Sequence, residues 1–589
     1  MTTRPAESNE DGPTSLPAGE SRESVSPLAR AAEFYRHHTD PAFILALTAP
    51  LAAFLIVLFV AAPTLAPGVL NWDNAEFQTV GPLMGTAHPT GYASYIVLGW
   101  LATVLLQPLG DPAYRMNVLQ LVLAAVAAGA TVAIVQLVTD RRWVALAAAM
   151  TLASTTLFWR LSLHSDPHMF NLTLVAILFV LLLTWAHRRR NSELEGAAHS
   201  DRWLVAAAFV YGVALTNHSL ALMLPPAIAL FLLVSDWRVI LRWRTVLACL
   251  VVLAATAAIF YAELPLRAAM GVSQVYGHPN TWDGFLSIVT AEQFRGDLGD
   301  PLANLSDKLA ANINELWGSF GPVLLLAPVG LVTSVVRRFN FAVLSGLTAA
   351  SVGIFAASYS SGDPERYYLV VLFVASTWIG VGVADLIDGG LWLAESGRRD
   401  RFDRFLLRLA PNRVTPSEPN APVSKRALGG TAAIVELLVA IGLLANVGLL
   451  LPARLAPQSA SNPGGVTEAL WTTDSAWMHA VLAPTDKGGV PANAVIVSWW
   501  GASTTLWYGQ RVLGLRPDVY VVDDVTRIDF NLGTVQDVLD RNLGRRPVFV
   551  IQLDGGDGGM VALRKQYDLQ PFRIPNGSTL DQVVRAKAA

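Results

Sequence analysis

The sequence predicts a polytopic α-helical membrane protein with a small α/β domain near its carboxyl end. Hydrophobic residues make up 53% of the chain and charged residues only 15%. Apolar stretches of about 20 residues, long enough to cross a bilayer, recur along it. In the last part of the chain, short β-rich runs alternate with helical segments, which is typical of an α/β domain. A soluble function is therefore not expected.

The chain divides into three predicted parts. Residues 1–42 are rich in Ser, Glu, Pro and Gly, which predicts a disordered cytoplasmic tail and not a signal peptide. Residues 43–452 form the predicted membrane domain with about eleven spans. Residues 453–589 form the predicted α/β domain. The spans are expected at roughly 43–66, 115–138, 142–160, 168–187, 203–218, 219–235, 244–262, 317–336, 340–358, 367–388 and 430–452.

Arginines cluster in alternate loops between these spans. By the positive-inside rule these loops face the cytoplasm, so the N-terminus is cytoplasmic and the C-terminal domain extracytoplasmic. The apolar stretch at roughly 92–108 does not fit this alternation, because a crossing there would turn every later arginine loop outward. It is interpreted as an interfacial or half-inserted helix on the outer face, together with a shorter amphipathic piece at about 74–84. The arginine loops contain Arg141 and Arg142, Arg188 to Arg190, Arg238, Arg242 and Arg244, Arg337 and Arg338, and a basic stretch from Arg398 to Arg426.

The C-terminal domain is expected to contain three strands and two helices. The strands are predicted within 493–498, 519–522 and 546–551, and the helices at 503–513 and 533–543. Two aromatic pairs, Trp499-Trp500 and Trp507-Tyr508, either contact an acceptor or are core and interfacial anchors.

Polar residues suited to chemistry fall on the side that the arginine loops avoid. Asp73 and Glu76 share a face if their segment is helical, although the same spacing is typical of a capping box. Asp166, followed by Pro167, is a typical helix N-cap, and the same pattern recurs at Asp363. The remaining candidates on this side are His88, Tyr92, His168, Asn217 and His218.

The positive-inside rule does not explain arginines at the extracytoplasmic ends of the predicted spans. Arg115, Arg160, Arg267 and Arg366 lie there. Each is suited to bidentate phosphate contacts, or else anchors the protein to lipid headgroups. A substrate with a phosphate at the headgroup level and an apolar tail in the lipid would explain them.

Composition argues against other kinds of site and partner. The net charge of −3 gives no nucleic-acid signal, because the basic residues are distributed over the arginine loops. The single cysteine, Cys249, lies inside an apolar span, so neither a disulfide nor a Cys-based metal site is expected.

Several of these motifs, in this order and spacing, resemble a known family. Asp73-Asn74-Ala75-Glu76, His88-Pro89-Thr90-Gly91-Tyr92, Arg115-Met116-Asn117, Asp166-Pro167-His168-Met169-Phe170-Asn171, Thr216-Asn217-His218, Leu264-Pro265-Leu266-Arg267 and the block from Asn280 to Arg295 are similar to those of the domain of unknown function 2723, or transmembrane protein 260-like, family. That family is related to the protein O-mannosyltransferases of the C-type glycosyltransferase superfamily. The sequence departs from the family pattern at Asn74-Ala75, at Thr90 and at Asp166-Pro167-His168.

The resemblance implies a C-type glycosyltransferase fold and a sugar transfer at the extracytoplasmic face of the cell membrane. The implied donor is a polyprenyl-phosphate sugar, with mannose favoured, and the implied acceptor is a protein Ser/Thr hydroxyl. It implies Asp73 as general base, with Glu76 as its nearest competitor. Asp166, at the same membrane face, is a third catalytic candidate, and Glu76 or Asp166 is expected to orient sugar hydroxyls. The expected substrate-binding residues are His88, Tyr92, Arg115, His168, Asn217, His218, Arg267, Asp363 and Arg366.

Three alternatives stay open at this point. The acceptor is a cell-envelope glycan or lipid, or the protein is a non-enzymatic transporter or flippase of a lipid-linked sugar, or it is a non-catalytic scaffold with an outer binding domain. No cofactor is expected, because a lipid-phosphate leaving group does not require a metal. A divalent ion between Asp73 and Asp166 is the exception to test.

Overall fold

The computed structural model describes residues 41–190, 197–360, 364–409, 425–455, 468–553 and 558–587. The predicted tail up to residue 40, most of the basic stretch from Arg398 to Arg426, and Asp363 lie outside the described residues.

The membrane part is built from helices joined by short turns and 3₁₀ segments. The helices up to residue 269 are α1 (Pro41–Ala61), α2 (Trp72–Leu83), α3 (Ala93–Leu105), α4 (Pro112–Thr139), α5 (Arg142–Ala153), α6 (Thr156–Ser162), α7 (Pro167–Arg190), α8 (Ala197–Asn217), α9 (Pro225–Asp236), α10 (Trp243–Tyr261) and α11 (Glu263–Ala269). After them come α12 (Trp282–Val289), α13 (Leu305–Phe320), α14 (Leu326–Arg337), α15 (Phe339–Ala356), α16 (Leu369–Leu409) and α17 (Lys425–Leu455).

Among the described residues, seven helical segments are long and apolar enough to cross a membrane. The number rises to eight if α5 and α6, which meet at a bend of 76°, form one broken span. The prediction of a polytopic helical membrane protein is confirmed. The predicted spans at 203–218, 219–235 and 430–452 fall on α8, on a 3₁₀ turn plus α9, and on α17, which do not pass the same test over their described residues.

Helices α2 and α3 lie where interfacial segments are predicted. Helix α3 has 13 residues and is about 20 Å long, too short for the roughly 30 Å of a bilayer core. Both pack closely on α4, since a Cβ atom at Gly81 or Gly99 would lie 2.8 Å from the Met116 Cε atom. Glycine at these two positions therefore lets α2 and α3 lie against the membrane helix.

The spans differ in how much protein surrounds them. In the apolar stretch of the span that begins at Pro364 and continues as α16, 89% of the residues are buried, and in those of α4 and α7 the shares are 72% and 78%. In that of the span Trp243–Ala269 the share is only 6%. The first three therefore form the centre of the bundle, and α10 presents its apolar surface outward, as expected of a lipid-facing helix.

The arginine loops meet at one end of the bundle. Arg337 and Arg338 both pair with Asp385, at 3.1 and 2.8 Å. Arg189 and Arg242 pair with Asp236 at 2.7 and 2.8 Å. The Asn340 Nδ2 donates to the Ser235 Oγ over 3.3 Å, which joins the two groups. The arginine loops, which are separate in the sequence, thus lie together at one end of the molecule.

The C-terminal domain contains a five-stranded sheet. Its strands are β1 (Val495–Val497), β2 (Tyr520–Val522), β3 (Val548–Val550), β4 (Tyr567–Arg573) and β5 (Thr579–Ala586), in the order β2-β1-β3-β5-β4. Strands β1, β2 and β3 are parallel, and β5 pairs antiparallel with β3 and β4. The domain's helices are α18 (Glu468–Val481), α19 (Trp500–Trp507), α20 (Asp524–Asp529), α21 (Val535–Asn542) and α22 (Gly558–Gln566).

The predicted C-terminal α/β domain is confirmed, and it packs on the membrane part. Val69, Ala75 and Ala113 share one apolar cluster with residues of the sheet and of α19. The Tyr508 hydroxyl donates to Asp111 Oδ1 over 2.7 Å and accepts from the backbone N–H of Ala113 over 3.0 Å. Because Asp111 also caps α4, the start of a central membrane helix is fixed directly to the domain.

Candidate active site

The first acid of the site is carried by the first turn of α2. The N-cap of this helix is Asn71, and no side chain caps it, so the capping-box interpretation of Asp73 and Glu76 is wrong. The Arg366 Nη1 instead donates to Asp73 Oδ2 over 2.7 Å. The same nitrogen lies 3.4 Å from Asp166 Oδ2. One guanidinium thus bridges two carboxylates that are far apart in the sequence.

The two carboxylates differ in access. The Asp73 side chain is 25% exposed, whereas that of Asp166 is 1% exposed. Burial raises the pKa of Asp73, but Arg366 and His88 more than offset it, so the pKa lies below its usual value. Burial also raises the pKa of Asp166, but His168 and Arg366 lower it by more, so this pKa too lies below its usual value. Both groups are therefore ionised at neutral pH.

Asp166 caps α7 as predicted. Its Oδ1 accepts from the backbone N–H of His168 over 2.8 Å and from His168 Nδ1 over 2.9 Å. The capping and functional interpretations hold together here, because the same carboxylate caps a helix, orients a histidine and faces Arg366.

Glu76 points away from Asp73 and binds His88. Its Oε1 accepts from the backbone N–H of His88 over 2.9 Å, and its Oε2 pairs with His88 Nδ1. The His88 Nε2 lies 3.2 Å from the Tyr92 hydroxyl. Burial lowers the pKa of His88, but the Glu76 carboxylate raises it by more, so the pKa is above its usual value.

These groups surround a cavity of about 440 Å³. Asp73 and Arg366 lie in its wall, whereas Glu76 and Asp166 do not. Eight of the predicted residues line it, namely Asp73, His88, Tyr92, His168, His218 and Arg366 from the membrane part and the aromatic pair Trp499 and Trp500 from the C-terminal domain.

The carboxyl ends of parallel strands form another wall of the cavity. Trp499 and Trp500 follow β1, and Asp524 follows β2, and all three line the cavity. The Trp500 ring lies 5.7 Å from the His88 ring. The second aromatic pair behaves differently, since Trp507 and Tyr508 are each 1% exposed and belong to the core.

Besides Glu76 and Asp166, three described residues among the predicted substrate-binding ones are not in the cavity wall. The Arg115 guanidinium donates to the carbonyls of Gly110 and Thr103. Arg267 donates to the carbonyls of Met84 and Leu83, over 3.0 and 2.9 Å, at the end of α2. The third is the buried Asn217, whose Nδ2 donates to the Pro167 carbonyl over 3.1 Å. Asp363 lies outside the described residues.

Some wall residues are not among the predicted ones. The loop after α12 contributes Gln293, Phe294 and Arg295, and the Tyr276 hydroxyl donates to Gln293 Oε1 over 2.8 Å. Their signal was the block from Asn280 to Arg295, which resembles the family without indicating which side chains point inward. Asp524 carries no sequence signal of its own, because its place in the wall depends on the docking of the whole domain. Tyr359 and Tyr367 also line the cavity without having been singled out in the sequence.

No metal ligands are grouped among the residues that the structure describes: no three His, Cys, Asp or Glu side chains converge in the arrangement of a metal site. Between Asp73 and Asp166, where a divalent ion is the exception to test, the Arg366 guanidinium supplies the positive charge.

Three non-glycine residues of the cavity wall have left-handed backbone conformations. Trp72, Tyr92 and Ala291 have φ angles of 53°, 47° and 51°. Each costs about 1 kcal/mol or more relative to ordinary regions, and such strain concentrates at functional sites. The geometry of the wall is therefore maintained by the surrounding packing.

Comparison with known proteins agrees with this geometry. Residues 73–241 match the model of the protein O-mannosyl-transferase TMEM260 N-terminal domain. The protein O-mannosyl-transferase TMEM260 of Mus musculus is 28% identical over 371 residues, which cover 58% of this chain and 50% of that protein. The protein O-mannosyl-transferase tmem260 of Dictyostelium discoideum is 24% identical over 402 residues, which cover 60% of this chain and 48% of that protein. The chain thus spans about half the length of the curated relatives that it matches.

Among solved structures, that of ArnT from Cupriavidus metallidurans bound to undecaprenyl phosphate has a TM-score of 0.54 at 15% identity. The match covers 92% of this chain and 97% of that one. The predicted C-type glycosyltransferase fold is confirmed, and so is the predicted resemblance to the transmembrane protein 260-like family.

Proposed function

We propose that this protein is a membrane glycosyltransferase that moves a sugar, mannose first, from a polyprenyl-phosphate donor to an acceptor hydroxyl with inversion at the anomeric carbon. The observation that carries the proposal is the position of Asp73, an ionised carboxylate that opens into the cavity beside Arg366. The names of the curated relatives, both protein O-mannosyl-transferases, support a protein acceptor.

The reaction requires one base and one stabilised leaving group. Asp73 removes the proton from the acceptor hydroxyl while that oxygen forms a bond to the anomeric carbon. The bond from that carbon to the phosphate oxygen breaks, and its electron pair leaves with the lipid phosphate. Because the displacement is a single step without a covalent enzyme intermediate, the configuration inverts.

Arg366 is the arginine best placed to stabilise the growing charge on the phosphate. It is the predicted outer arginine whose side chain lies in the cavity wall, and guanidinium groups bind phosphate in a bidentate manner. Arg115 and Arg267, which were predicted for the same role, use their donors on backbone carbonyls. We therefore assign them to maintaining the loops around the site.

The C-terminal domain supplies the acceptor side of the cavity. Trp499 and Trp500 offer aromatic surfaces, and Asp524 accepts from the backbone N–H of Trp500 over 2.6 Å. A segment bearing a Ser or Thr hydroxyl that binds against these tryptophans would face Asp73 across the cavity. A cell-envelope glycan or lipid acceptor would use the same surface.

The arrangement favours an enzyme over a transporter. Transporters concentrate ionisable residues near the membrane midplane. Here Asp73, Asp166 and Arg366 lie beside helix ends, at the opposite end from the paired arginine loops. A non-catalytic scaffold would have no use for a carboxylate and a guanidinium that meet in a cavity. We place that cavity on the extracytoplasmic side of the cell membrane, with the N-terminus in the cytoplasm.

The test is a transfer assay with the purified protein in detergent. Radiolabelled polyprenyl-phosphate mannose and a membrane-protein extract are supplied, with and without a chelator. We expect Asp73→Asn to lower transfer by at least about 100-fold, because general-base assistance typically contributes 10²–10⁴-fold. Asp486→Asn, in an exposed loop of the C-terminal domain, serves as the matched control and should retain wild-type activity.

Each outcome of this assay has a clear meaning. Equal transfer by wild type and Asp73→Asn would remove Asp73 from the mechanism. Loss of transfer with the chelator would contradict the metal-free reaction. Transfer to lipid or glycan and not to protein would select the alternative acceptor.

A further inference from the structure

Both oxygens of the Glu76 carboxylate bind the same residue, His88. The Glu76 side chain is 0% exposed, and its two oxygens accept from the backbone N–H and the Nδ1 of His88. It does not line the cavity. Glu76 therefore cannot touch a substrate, and any effect that it has on the reaction must pass through His88.

The His88 ring transmits that effect to the cavity wall. It lies between Glu76 on its Nδ1 side and the Tyr92 hydroxyl, 3.2 Å from Nε2. The rings of Trp500 and Phe294 stand nearly perpendicular to it at 5.7 and 6.1 Å. Packed in this way, the imidazole cannot rotate without breaking the contacts with Glu76.

The charges around His88 favour its protonated form. Glu76 and Asp73 are the acidic groups that act on it, and Arg366 is the cation that opposes them. The Tyr92 ring contacts the His88 ring, and the His218 ring contacts that of Tyr92. Asp524 and Arg295 lie in the same cavity wall. A doubly protonated ring must donate from Nε2, and the acceptor within reach is the Tyr92 oxygen.

We propose that Glu76 is a positioning residue that holds His88 as an imidazolium, and that His88 donates to the Tyr92 hydroxyl so that the Tyr92 O–H points into the cavity as a hydrogen-bond donor to the leaving phosphate. This inference rests on the proposed function and adds to it a second group on the leaving-group side. It also separates the roles of the two acids of α2, since Asp73 meets the acceptor while Glu76 acts through two other side chains.

The charge of His88 is measured directly by NMR of the full-length protein in detergent with ¹⁵N-labelled histidine. The His88→Asn variant identifies the His88 signals by their loss. We expect both ring nitrogens of His88 to be protonated at pH 7.5 in the wild type. In Glu76→Gln the midpoint of the His88 titration should fall by about 1–3 pH units. Identical titration in wild type and Glu76→Gln would overturn the proposal.

Glu76→Asp keeps the negative charge but shortens the side chain, and it protects the test against misfolding of Glu76→Gln. Its His88 titration should lie between those of the other two proteins. If His88 titrates at the same pH in a folded Glu76→Asp variant as in the wild type, the distance between the two side chains does not matter. That result would contradict the proposal.

Activity supplies the second readout. As the pH rises, transfer by Glu76→Gln should decline at a lower pH than transfer by the wild type, and Glu76→Asp should restore part of the difference. Tyr92→Phe should lower kcat at every pH. If the NMR titration moves but the pH profile does not, the role in transfer is overturned. If the wild type transfers no sugar, only the proposed function fails, because the NMR result still decides the Glu76–His88 pair.

Discussion

Arg366 shows how a single side chain organises the acids of this site. Two carboxylates within 3.4 Å of one nitrogen would repel one another strongly without it, and one would take up a proton. With the guanidinium between them both stay charged. The sequence identified Asp73, Asp166 and Arg366 separately, yet it did not show that this arginine, of the four at outer ends, is their partner. That choice depends on how α2, α7 and the segment before α16 pack.

The free energy of unfolding at acidic pH should depend on His164, which is 7% exposed. Burial lowers its pKa from 6.5 to about 4. The unfolded chain therefore takes up this proton near pH 6.5, before the folded protein does, and stability is lost as the pH falls from about 6.5 to about 4. The full effect is about 3 kcal/mol. Thermal unfolding in detergent across this range should show the slope in the wild type and a weaker one in His164→Asn.

The control is His278→Asn, because His278 is exposed and its removal should leave the slope unchanged. An unaltered slope in His164→Asn would show that other groups cause the acid sensitivity.

At the scale of elements, the sheet edge explains why the C-terminal domain belongs to the site. In parallel sheets, ligands bind beyond the carboxyl ends of the strands, where the connections diverge. Strand β1 lies between β2 and β3, and the residues that follow β1 and β2 line the cavity. The three parallel strands and the helices between them follow from the alternating pattern. The antiparallel pair β4–β5 is absent from the prediction, although Asn576-Gly577 between them is a typical hairpin signal.

Two tryptophans of α19 allow function and stability to be separated. Trp500→Ala should lower sugar transfer at least tenfold with little change in the unfolding temperature, because the side chain lines the cavity. Trp507→Ala should instead destabilise the protein by about 3–5 kcal/mol, because its ring is buried in the core. Both are measured by transfer assays and by thermal unfolding in detergent. Equal loss of stability in the two variants would contradict the division between wall and core.

The whole molecule has two chemically different ends. Paired arginines and acids close one end, and the cavity with the C-terminal domain occupies the other. The sequence predicted these two different ends well, because the charged residues and the order of the loops can be read from it directly. It predicted the number of spans less well, because three of the predicted spans, on α8, α9 and α17, are not long and apolar enough over their described residues.

The proposed orientation is tested by labelling single cysteines in intact cells with a membrane-impermeant maleimide. Cys249 is first replaced by Ala, and Lys487→Cys and Arg190→Cys are then introduced separately at exposed positions. We expect Lys487→Cys to react in intact cells and Arg190→Cys to react only after lysis. The reverse pattern would place the cavity in the cytoplasm.

The shared construction of the cavity also bears on biosynthesis. Asp73 through Tyr367 leave the ribosome and enter the membrane well before Trp499, Trp500 and Asp524 are translated. Until then the acids and Arg366 face an open cleft, and the site is completed only when the last domain folds and docks through Tyr508 onto Asp111. The growing chain therefore cannot complete the wall of its own cavity, so assembly of the site is a late, post-insertion event.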